Sequence, residues 1–544
     1  MKKENQAAPV FTTRPVPRPL IFLTIIVSLF YLSWWLDFRH AAFWPFYLPL
    51  FLGEIYHLLQ VGGFLHTVWK LSPPPPRPRG QKLPPVDVFI TVCGEPVEVV
   101  RRTVRAAKKM VYPRKKIYLL NDGYVAGKKN WREIEKLAQE EEVFCLTRRQ
   151  PGGYKAGNVN HALRQTNSPL IALFDADQVP RPNFLRQTAP YLAANPRLAL
   201  VQTPQYYTNS PDNELTAGAW EQQELFFGPI CVGKNNYNAA FWCGTNALLR
   251  RRALEEINGL PQDNIAEDFL ASLFLHQRGW QTLYLPQVLA DGLAPPDLVS
   301  YAKQQFRWAR GSLEIILRHN PFFKKGLSFS QRLQYLYSAS YHLNGVVVLI
   351  DILIPLLVLL TGRAPVVNDP AFLLYFAPFI VLILLLLMIA TNFSVTFRAL
   401  QFSVSLFFIQ IQALGGVILQ RRHSFAVTPK IKIQQNGFFY GLPHWLYLFS
   451  ASGIILWRLH LSGPSASILN NSAWIIFNLG LFFPFLRLSL PPRSAVRLFF
   501  QPLLAGPKQW LRQRYLFRQI LLPLYLYHSK WRRGKNILSQ PPSD

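Results

Sequence analysis

Long uncharged runs lie on both sides of a central stretch whose composition is that of a soluble protein. The first run, Leu20 to Leu36, has no charged residue, and the second, 43–68, carries Glu54 and His57 near its middle. Four further apolar runs follow Arg332, at 335–361, 371–393, 438–459 and 472–487. Each is about as long as an α-helix that crosses the hydrocarbon core of a bilayer. The sequence therefore predicts an α-helical membrane protein with two spans before the central stretch and four after it.

A proline-rich segment separates the first two spans from the central stretch. Residues 72–85, SPPPPRPRGQKLPP, cannot form a regular helix and predict a stiff polyproline-type linker. From residue 86 to about 320, short β-branched runs alternate with helical stretches. The runs VDVFITV, KIYLLND, EVFCLTRR, LIALFDAD and LALVQTP are typical of buried strands. This alternation predicts a doubly wound α/β domain with its ligand site at the carboxyl ends of the strands.

The distribution of charge predicts how the chain is oriented in the membrane. Lys and Arg number 58 against 29 Asp and Glu, and the basic residues flank the apolar runs, which argues against a nucleic-acid-binding domain. They are abundant near 398–436 and 491–535, whereas the first outer loop has a lone Arg363. The positive-inside rule therefore places the α/β domain and both termini on the cytoplasmic side of the inner (plasma) membrane. The four cysteines have no metal or disulfide spacing, as expected for cytosolic thiols.

The strongest local signal is Asp175-Ala176-Asp177 at the end of an apolar strand. Residues two apart in an extended chain point to the same side, so both carboxylates can face one hard divalent cation. Such a cation neutralises a nucleoside diphosphate leaving group. We therefore expect a Mg²⁺ site, with Mn²⁺ as the alternative ion. A solvated turn at the strand end is the competing interpretation of this tripeptide taken alone.

Two further segments fit the same nucleotide site. Asp122 follows another predicted strand, where a carboxylate would contact a uracil or ribose, although an Asx turn gives the same pattern. The glycines of the segment 152–158, GGYKAGN, allow close approach of the backbone to a ligand. Lys155 within it supplies a point charge for a phosphate.

Acidic and aromatic residues occur in two segments farther along the chain. Ala266-Glu267-Asp268 precedes an apolar helical stretch, which makes Asp268 a candidate general base for an acceptor hydroxyl, with helix capping as the structural alternative. In the segment 304–308, QQFRW, helical spacing places Gln304, Arg307 and Trp308 on one side. Arg307 would clamp a diphosphate and Trp308 would stack on a sugar; an interfacial amphipathic helix is the alternative.

In this order, Asp122, DAD, FWCGT, AED and QQFRW resemble the motifs of processive family 2 glycosyltransferases, and most closely those of the bacterial cellulose synthase catalytic subunit. The resemblance covers about 86–459. It implies a cytosolic α/β domain of the GT-A, Rossmann-like type, inserted between membrane helices. It also implies inverting transfer of glucose from UDP-glucose into a β-glucan, with cellulose as the expected product, and translocation of that product across the membrane.

The resemblance also assigns residues to roles. It assigns donor binding to Thr91, Glu95, Asp122, Lys155, Asp175, Gln304 and Arg307. It assigns acceptor binding to Trp308 and to the FWCGT segment, Phe241, Trp242, Cys243, Gly244 and Thr245. FAVTPK resembles a gating loop that closes over the donor, with Phe425, Val427, Thr428 and Lys430 in that role. Asp268 keeps the role of base, and Asp175 and Asp177 that of metal ligands.

Some positions depart from the family pattern. The family's TED is AED here, and its DDG is NDG, which leaves Asp122 as the one acid of that motif. No PilZ domain is evident after the last span, so we do not expect regulation by cyclic di-GMP through this chain. AEDF stands where hyaluronan and chitin synthases have a GDDR-type motif, which favours a glucan product.

These inferences give a predicted organisation. Residues 1–71 form a cytosolic tail and two spans, 72–85 the linker, 86–330 the catalytic domain with interface helices, 331–490 four spans with a gating loop near 420–432, and 491–544 a basic amphipathic tail. The predicted partners are UDP-glucose, the growing glucan, membrane lipids and an accessory subunit on the far side. The alternatives are a non-processive lipid glycosyltransferase, a β-1,3- or mixed-linkage glucan synthase, and a transporter or receptor with a nucleotide-binding domain.

Overall fold

The computed structural model describes residues 11, 13–367, 369–420 and 437–490. The predicted gating-loop residues, Phe425, Val427, Thr428 and Lys430, lie outside these ranges, as does the predicted basic tail, 491–544. The described residues up to Ser489 belong to one compact unit.

Two helices precede the central domain. Helix α1 spans Arg18–Leu36 and α2 spans Trp44–Val68, and each begins with a proline in its first turn, where a missing N–H costs no hydrogen bond. The proline-rich linker that follows has no regular secondary structure through residue 85. Tyr191 Oη donates a hydrogen bond of 2.8 Å to Pro75 O, which ties this linker to the central domain.

Ten strands form two sheets in the central domain. They are β1 Val86–Val92, β2 Lys115–Asn121, β3 Phe144–Thr147, β4 Leu170–Asp175, β5 Val179–Pro180, β6 Leu198–Gln202, β7 Tyr206–Tyr207, β8 Ala247–Arg250, β9 Gln281–Tyr284 and β10 Ala290–Gly292. The large sheet has the order β3-β2-β1-β4-β8-β6-β9, and the small one the order β5-β10-β7. All five strands predicted from sequence are present.

The large sheet is doubly wound over only part of its width. Strands β3, β2, β1 and β4 are parallel, but β8 runs antiparallel between β4 and β6. The predicted α/β domain is therefore present, and its large sheet is mixed beyond β4. Strand β8 has only four residues, and its position depends on pairing with β4, more than seventy residues earlier, which no local pattern specifies.

Helices cover both faces of the large sheet. Helices α3 Val97–Lys109, α4 Trp131–Glu140 and α6 Phe184–Ala194 pack on one face, and α5 Tyr154–Leu163, α9 Arg251–Glu256 and α10 Glu267–Gln277 on the other. The described central domain also contains α7 Glu214–Leu225, α8 Cys231–Lys234 and α11 Leu298–His319. One core includes Val88, Ile90 and Phe174, and the other includes Phe89, Leu173 and Trp242. Alternate residues of β1 and β4 thus enter opposite cores, as expected for strands buried on both faces.

The remaining described helices are α12 Phe329–Ser340, α13 Asn344–Thr361, α14 Phe372–Ala390, α15 Phe397–Ser405, α16 Phe407–Ile418, α17 Phe438–Ser462 and α18 Ala466–Ser489. Six helical segments of the described residues are long and apolar enough to cross a membrane: Arg18–Leu36, Trp44–Val68, Phe329–Thr361, Phe372–Ala390, Phe397–Ile418 and Ala466–Ser489. This set includes 397–418, which the sequence places in a basic cytosolic stretch. It omits α17, whose Arg458, His444 and His460 lower the mean hydropathy.

Candidate active site

A cavity of about 760 Å³ lies at the carboxyl ends of β1, β2 and β4. Thr91 pairs in register with Asp175, and Val92 with Asn121, so the three strands end at the same level. The sequence-predicted residues that line this cavity are Thr91, Glu95, Asp122, Lys155, Asp175, Asp177, Cys243, Gly244, Asp268, Gln304, Arg307 and Trp308. The site thus lies where a parallel α/β sheet is expected to bind its ligand.

One end of the cavity is built around a buried ion pair. Arg148 donates to both carboxylate oxygens of Asp122, with Nε–Oδ1 and Nη2–Oδ2 distances of 2.6 and 2.7 Å. The same guanidinium donates to the carbonyl oxygens of Gly152 and Tyr154, the latter at 3.2 Å. Arg148 therefore fixes the carboxylate of Asp122 and the glycine-rich segment together. Sequence reasoning missed this residue, although an arginine directly after β3 is a signal that could have found it.

Glu95 adds a second buried acid beside this end. Its Oε2 accepts a hydrogen bond of 2.5 Å from the backbone N–H of Cys93, and its carbonyl oxygen accepts one of 2.8 Å from Asn130 Nδ2. Burial raises the pKa of Glu95 to about 7, and the nearby carboxylates of Asp177 and Asp175 act in the same direction. Near neutral pH, Glu95 can therefore donate or accept a hydrogen bond.

Asp175 is the centre of a polar network in the middle of the cavity. Its Oδ1 accepts hydrogen bonds from Lys155 Nζ and, at 3.1 Å, from Thr91 Oγ1, while its backbone N–H donates to Thr245 Oγ1 at 2.9 Å. Lys155 Nζ also donates to Gly244 O at 2.8 Å. Burial alone lowers the pKa of Lys155, but the carboxylates around it outweigh this effect and the pKa is raised. Lys155 is therefore a permanent cation here.

Asp175 and Asp177 fit a divalent cation only together with other oxygen ligands. Both line the cavity; the Asp175 side chain is 39% exposed, whereas Asp177 is buried. Among the described residues there is no group of three or more His, Cys, Asp or Glu side chains that could hold a metal. Two carboxylates suit Mg²⁺ or Mn²⁺ when diphosphate oxygens and water complete the coordination. The donor set is therefore that of a metal bound with a nucleotide.

Two acids at the start of α10 form the opposite wall. Asp268 Oδ1 accepts a hydrogen bond of 2.8 Å from the Phe269 N–H. Burial raises the pKa of Asp268, and burial also raises that of Glu267, with the neighbouring carboxylate adding to it. A Cβ at Gly244, where φ is +79°, would lie 2.9 Å from Asp268 Oδ2. A glycine at 244 thus lets Asp268 approach the backbone of the FWCGT segment.

Helix α11 carries three predicted residues to the cavity, Gln304, Arg307 and Trp308. Burial lowers the pKa of Arg307, while the carboxylates of Asp175, Glu267 and Asp268 oppose that shift. The guanidinium thus lies in the field of all three acids. It is placed to neutralise negative charge that enters the cavity.

The FWCGT segment divides between the cavity and the protein core. Cys243 and Gly244 line the cavity, whereas Phe241, Trp242 and Thr245 are not among its lining residues. Trp242 is 1% exposed and packs in the core beneath the sheet. Phe241 packs on Phe269, with ring centroids 4.6 Å apart. The structure therefore gives Trp242 the surroundings of a core residue, while direct acceptor contact by Phe241 and Thr245 stays a prediction.

Comparison with known families shows what the central domain is similar to. Residues 84–311 match the profile of the glycosyltransferase-like family 2, and this range contains the whole large sheet and every described residue of the cavity. The central domain, which lies between membrane-capable helices, is therefore similar to the glycosyltransferases of that family.

Its curated relatives include bacterial cellulose synthases. The chain is 31% identical over 489 residues to putative cellulose synthase 2 of Komagataeibacter xylinus, covering 85% of this chain and 32% of that protein. It is 38% identical over 309 residues to the UDP-forming cellulose synthase catalytic subunit of Xanthomonas axonopodis pv. citri, covering 55% of this chain and 41% of that protein. The chain thus spans about a third to two-fifths of the length of these relatives.

A solved structure with a similar fold is the mannosyltransferase of Pyrobaculum calidifontis in complex with GDP-Man and Mn²⁺. It is 15% identical, covers 69% of this chain and 100% of its own, and has a TM-score of 0.49.

Proposed function

We propose that the chain is a membrane-embedded processive glycosyltransferase that polymerises glucose from UDP-glucose into a β-glucan and passes it across its membrane. The proposed β-glucan is cellulose. The observation that carries the proposal is the single cavity in which Asp122, the Asp175/Asp177 pair, Asp268 and the Gln304–Trp308 face meet. Homology to cellulose synthases that are named as UDP-forming supports the donor and the product.

The residues of the cavity suit transfer by a single inverting displacement. Asp122, held by Arg148, and Glu95 bind the uridine end, while Lys155 and Arg307 bind the diphosphate. Asp268 takes the proton of the acceptor hydroxyl while the oxygen of that hydroxyl attacks the anomeric carbon of the donor sugar and UDP departs. A divalent cation, Mg²⁺ or Mn²⁺, held at Asp175 and Asp177 would neutralise charge on the leaving diphosphate. The raised pKa of Asp268 makes it a stronger base than an exposed aspartate.

Contact between the catalytic domain and the membrane-capable helices supports processivity and translocation. Ala309 and Leu313 of α11, one and five residues after Trp308, pack against Ala413 and Val417 of α16. Glu221 of α7 is paired with Thr396 at 2.5 Å and with Arg398 at 3.3 Å at the start of α15. An acceptor that leaves the cavity past Trp308 would therefore meet the helical bundle directly. The charge distribution supports a cytoplasmic position for the catalytic domain.

A product assay tests the proposal. The purified protein in lipid nanodiscs is incubated with UDP-glucose, UDP-GlcNAc, UDP-galactose and GDP-mannose, each with Mg²⁺ or Mn²⁺. We expect UDP release and a long polymer from UDP-glucose alone, and digestion of that polymer by an endo-β-1,4-glucanase. Single-sugar lipid products would support the non-processive alternative, and digestion by a β-1,3-glucanase only would replace cellulose by another glucan.

The variant Asp268→Asn tests the assignment of the base. It removes the proton acceptor but keeps the size of the side chain and its acceptor oxygen. We expect transfer to fall by about 10²-fold or more while UDP still binds, because general-base catalysis contributes roughly 10²–10⁴-fold. Polymer synthesis at the rate of the unaltered protein would remove Asp268 from this role.

A further inference from the structure

A second cavity of about 720 Å³, which we call the linker groove, lies apart from the nucleotide site. Its walls are the prolines of the linker, the end of α6, strand β9, the turn at 235–238 and the start of α12. Its volume is within the range of roughly 300–1,000 Å³ that is typical of small-molecule sites. None of the predicted catalytic or donor-binding residues lines it.

None of the described residues that line the linker groove is charged, although the chain has a formal net charge of +29. Arg77 lies between Pro76 and Pro78 in sequence, but only the two prolines line the groove. The nucleotide cavity, in contrast, is lined by Arg148, Lys155 and several acids. Arg77 does act on the phenol of Tyr191 from beside the groove, but the described lining residues offer no cation to a phosphate or an anionic headgroup. The lining groups therefore favour a neutral ligand.

The polar groups of the groove are carboxamides and hydroxyls. Five carboxamide residues line it, Asn195, Asn235, Asn236, Asn238 and Gln281, together with Ser328, Ser330, Thr282, two tyrosines and three prolines. Carboxamides both donate and accept hydrogen bonds, as sugar hydroxyls do. Tyrosine and proline rings offer apolar faces against which the C–H faces of a pyranose can pack. This combination fits a neutral oligosaccharide.

The groove is preformed and does not admit an added β-strand. Strand β9 is an edge strand, but its Thr282 and Tyr284 N–H groups already donate to the Asn238 and Asn235 side chains at 2.9 and 2.8 Å. Tyr237 Oη donates to His66 O at 2.7 Å, which holds its ring in place. An extended peptide therefore cannot pair with this edge, whereas a ligand that binds through side chains can.

Some hydrogen-bonding groups of the groove remain available to such a ligand. Gln281 Oε1 accepts a hydrogen bond of 2.8 Å from Asn195, but Gln281 Nε2 has no partner among the described residues, nor does the Ser330 hydroxyl. The turn at 235–238 continues within three residues into Phe241 of the FWCGT segment, and Thr282 Oγ1 donates to Ala240 O at 2.5 Å. A ligand in the groove would thus contact the chain segment that leads to the acceptor wall of the nucleotide cavity.

We propose that the linker groove is a second carbohydrate site that binds a neutral β-linked gluco-oligosaccharide or the headgroup of a neutral glycolipid. It goes beyond the proposed function, because binding here needs neither donor nor catalysis. The shared chemistry is an uncharged pyranose with equatorial hydroxyls. The site is distinct from any acceptor path through Trp308.

Binding of cellotetraose to the full-length protein, saturated with UDP, tests the proposal. In Ala194→Trp, a bulky ring replaces an exposed methyl group in the groove, and we expect cellotetraose binding at the groove to be lost. Gln281→Ala removes one donor and should weaken binding about fivefold, as expected for one hydrogen bond. Gln139→Ala, an exposed carboxamide on α4 outside both cavities, is the matched control and should bind normally.

A second arm separates the two ligand sources. Nanodiscs with and without monoglucosyldiacylglycerol are compared, and competition by the glycolipid alone would identify the headgroup as the ligand. Wild-type affinity in both Ala194→Trp and Gln281→Ala, or no binding of either sugar source to the unaltered protein, overturns the proposal. Polymer synthesis is measured in parallel. Absent oligosaccharide binding with normal synthesis would contradict the linker-groove proposal alone. Absent synthesis with normal binding would contradict only the proposed function.

Discussion

At the scale of single residues, the site depends on charges held in fixed geometry. The buried Asp122–Arg148 pair is bidentate, and Arg148 also bonds two carbonyl oxygens of the glycine-rich segment. Only a planar guanidinium can make these bonds together. We therefore expect Arg148 to act as a positioning residue for Asp122.

The variant Arg148→Lys tests this positioning role. A lysine keeps the charge but cannot donate two parallel hydrogen bonds to Asp122. We therefore expect the KM for the donor to rise by roughly tenfold or more, with a smaller change in kcat. A hydrogen bond to a charged group contributes roughly 1.5–3 kcal/mol, and about 1.4 kcal/mol is tenfold. Arg149→Lys is the control, since Arg149 is half exposed. Equal effects of the two substitutions on donor KM would contradict the assignment.

The acids at the start of α10 predict a pH dependence. Burial raises the pKa of Asp268, so the ionised base is lost at a higher pH than for an exposed aspartate as the medium is acidified. The acid limb of kcat/KM should therefore lie well above pH 4. Lys155 lowers the pKa of Asp268, so in Lys155→Gln the remaining activity should show this limb at still higher pH. A limb that does not move, or moves to lower pH, would show that another group titrates.

Motif spacing predicted most of the acids: Asp122, Asp175 and Asp177 lie at strand ends, which meet at one edge of a sheet, and Asp268 lies in the first turn of α10. Asp122, Asp175, Asp177 and Asp268 all line one cavity. Arg148 could not be assigned to the site from sequence, because its partner Asp122 is 26 residues away and the sequence TRR occurs in many structural contexts. Trp242 is an aromatic residue of the FWCGT motif, but only the three-dimensional packing shows that its ring is buried.

At the scale of elements, small residues set how closely helices approach. Helix α2 has adjacent glycines that differ in surroundings: a Cβ at Gly63 would overlap the ring of Tyr337 in α12, with Cδ2 at 2.7 Å, whereas a Cβ at Gly62 meets nothing within 4 Å. The contact between α2 and α12 therefore requires a glycine at 63 and not at 62.

The pair Gly63→Ala and Gly62→Ala isolates this contact. Gly63→Ala should destabilise the protein by about 1–3 kcal/mol, the usual cost of overpacking, and lower the thermal midpoint in detergent. Gly62→Ala should be neutral or stabilising, because alanine is the better helix former by roughly 0.5–1 kcal/mol. Equal midpoints for both variants would mean that α2 and α12 are not held at this distance.

Elements with long patterns were predictable, and those defined by pairing were not. Strand β1 has the bounds expected from VDVFITV, because six of its seven residues are apolar or β-branched. Strand β8, with four residues, was missed since it exists through pairing with β4 and β6. Helices α15 and α16 were missed because the run around 397–418 was read together with the basic stretch beyond it.

At the scale of the whole molecule, the path through the membrane depends on which of two elements crosses it. Segment 397–418 is apolar enough to span, and α17 is not by the same measure. However, α15 is tied to the catalytic domain by Glu221, and Gln222 Nε2 donates to Ser403 at 3.3 Å. Helix α17 is about 37 Å long at 1.5 Å per residue and joins α18 through only residues 463–465.

These facts favour α17 as the span and α15–α16 as an interface element on the cytoplasmic side. Two antiparallel neighbours joined by three residues share one depth, so if α18 crosses the bilayer, α17 crosses it with α18. Leu419 at the end of α16 is then cytoplasmic, and Ser465 is outside. If α15–α16 crossed instead, Leu419 would be outside.

Cysteine labelling decides between the two paths. Leu419 is exposed in the structure, so Leu419→Cys offers a thiol that reacts wherever water reaches it. In intact spheroplasts we expect a membrane-impermeant maleimide to label Ser465→Cys and to leave Leu419→Cys unlabelled until the membrane is permeabilised. The four native cysteines belong to the central domain and provide the internal control, since they should stay unlabelled from outside. Labelling of Leu419→Cys from outside would make 397–418 the span and would contradict the sequence-based prediction that residues 425–430 belong to a cytoplasmic gating loop.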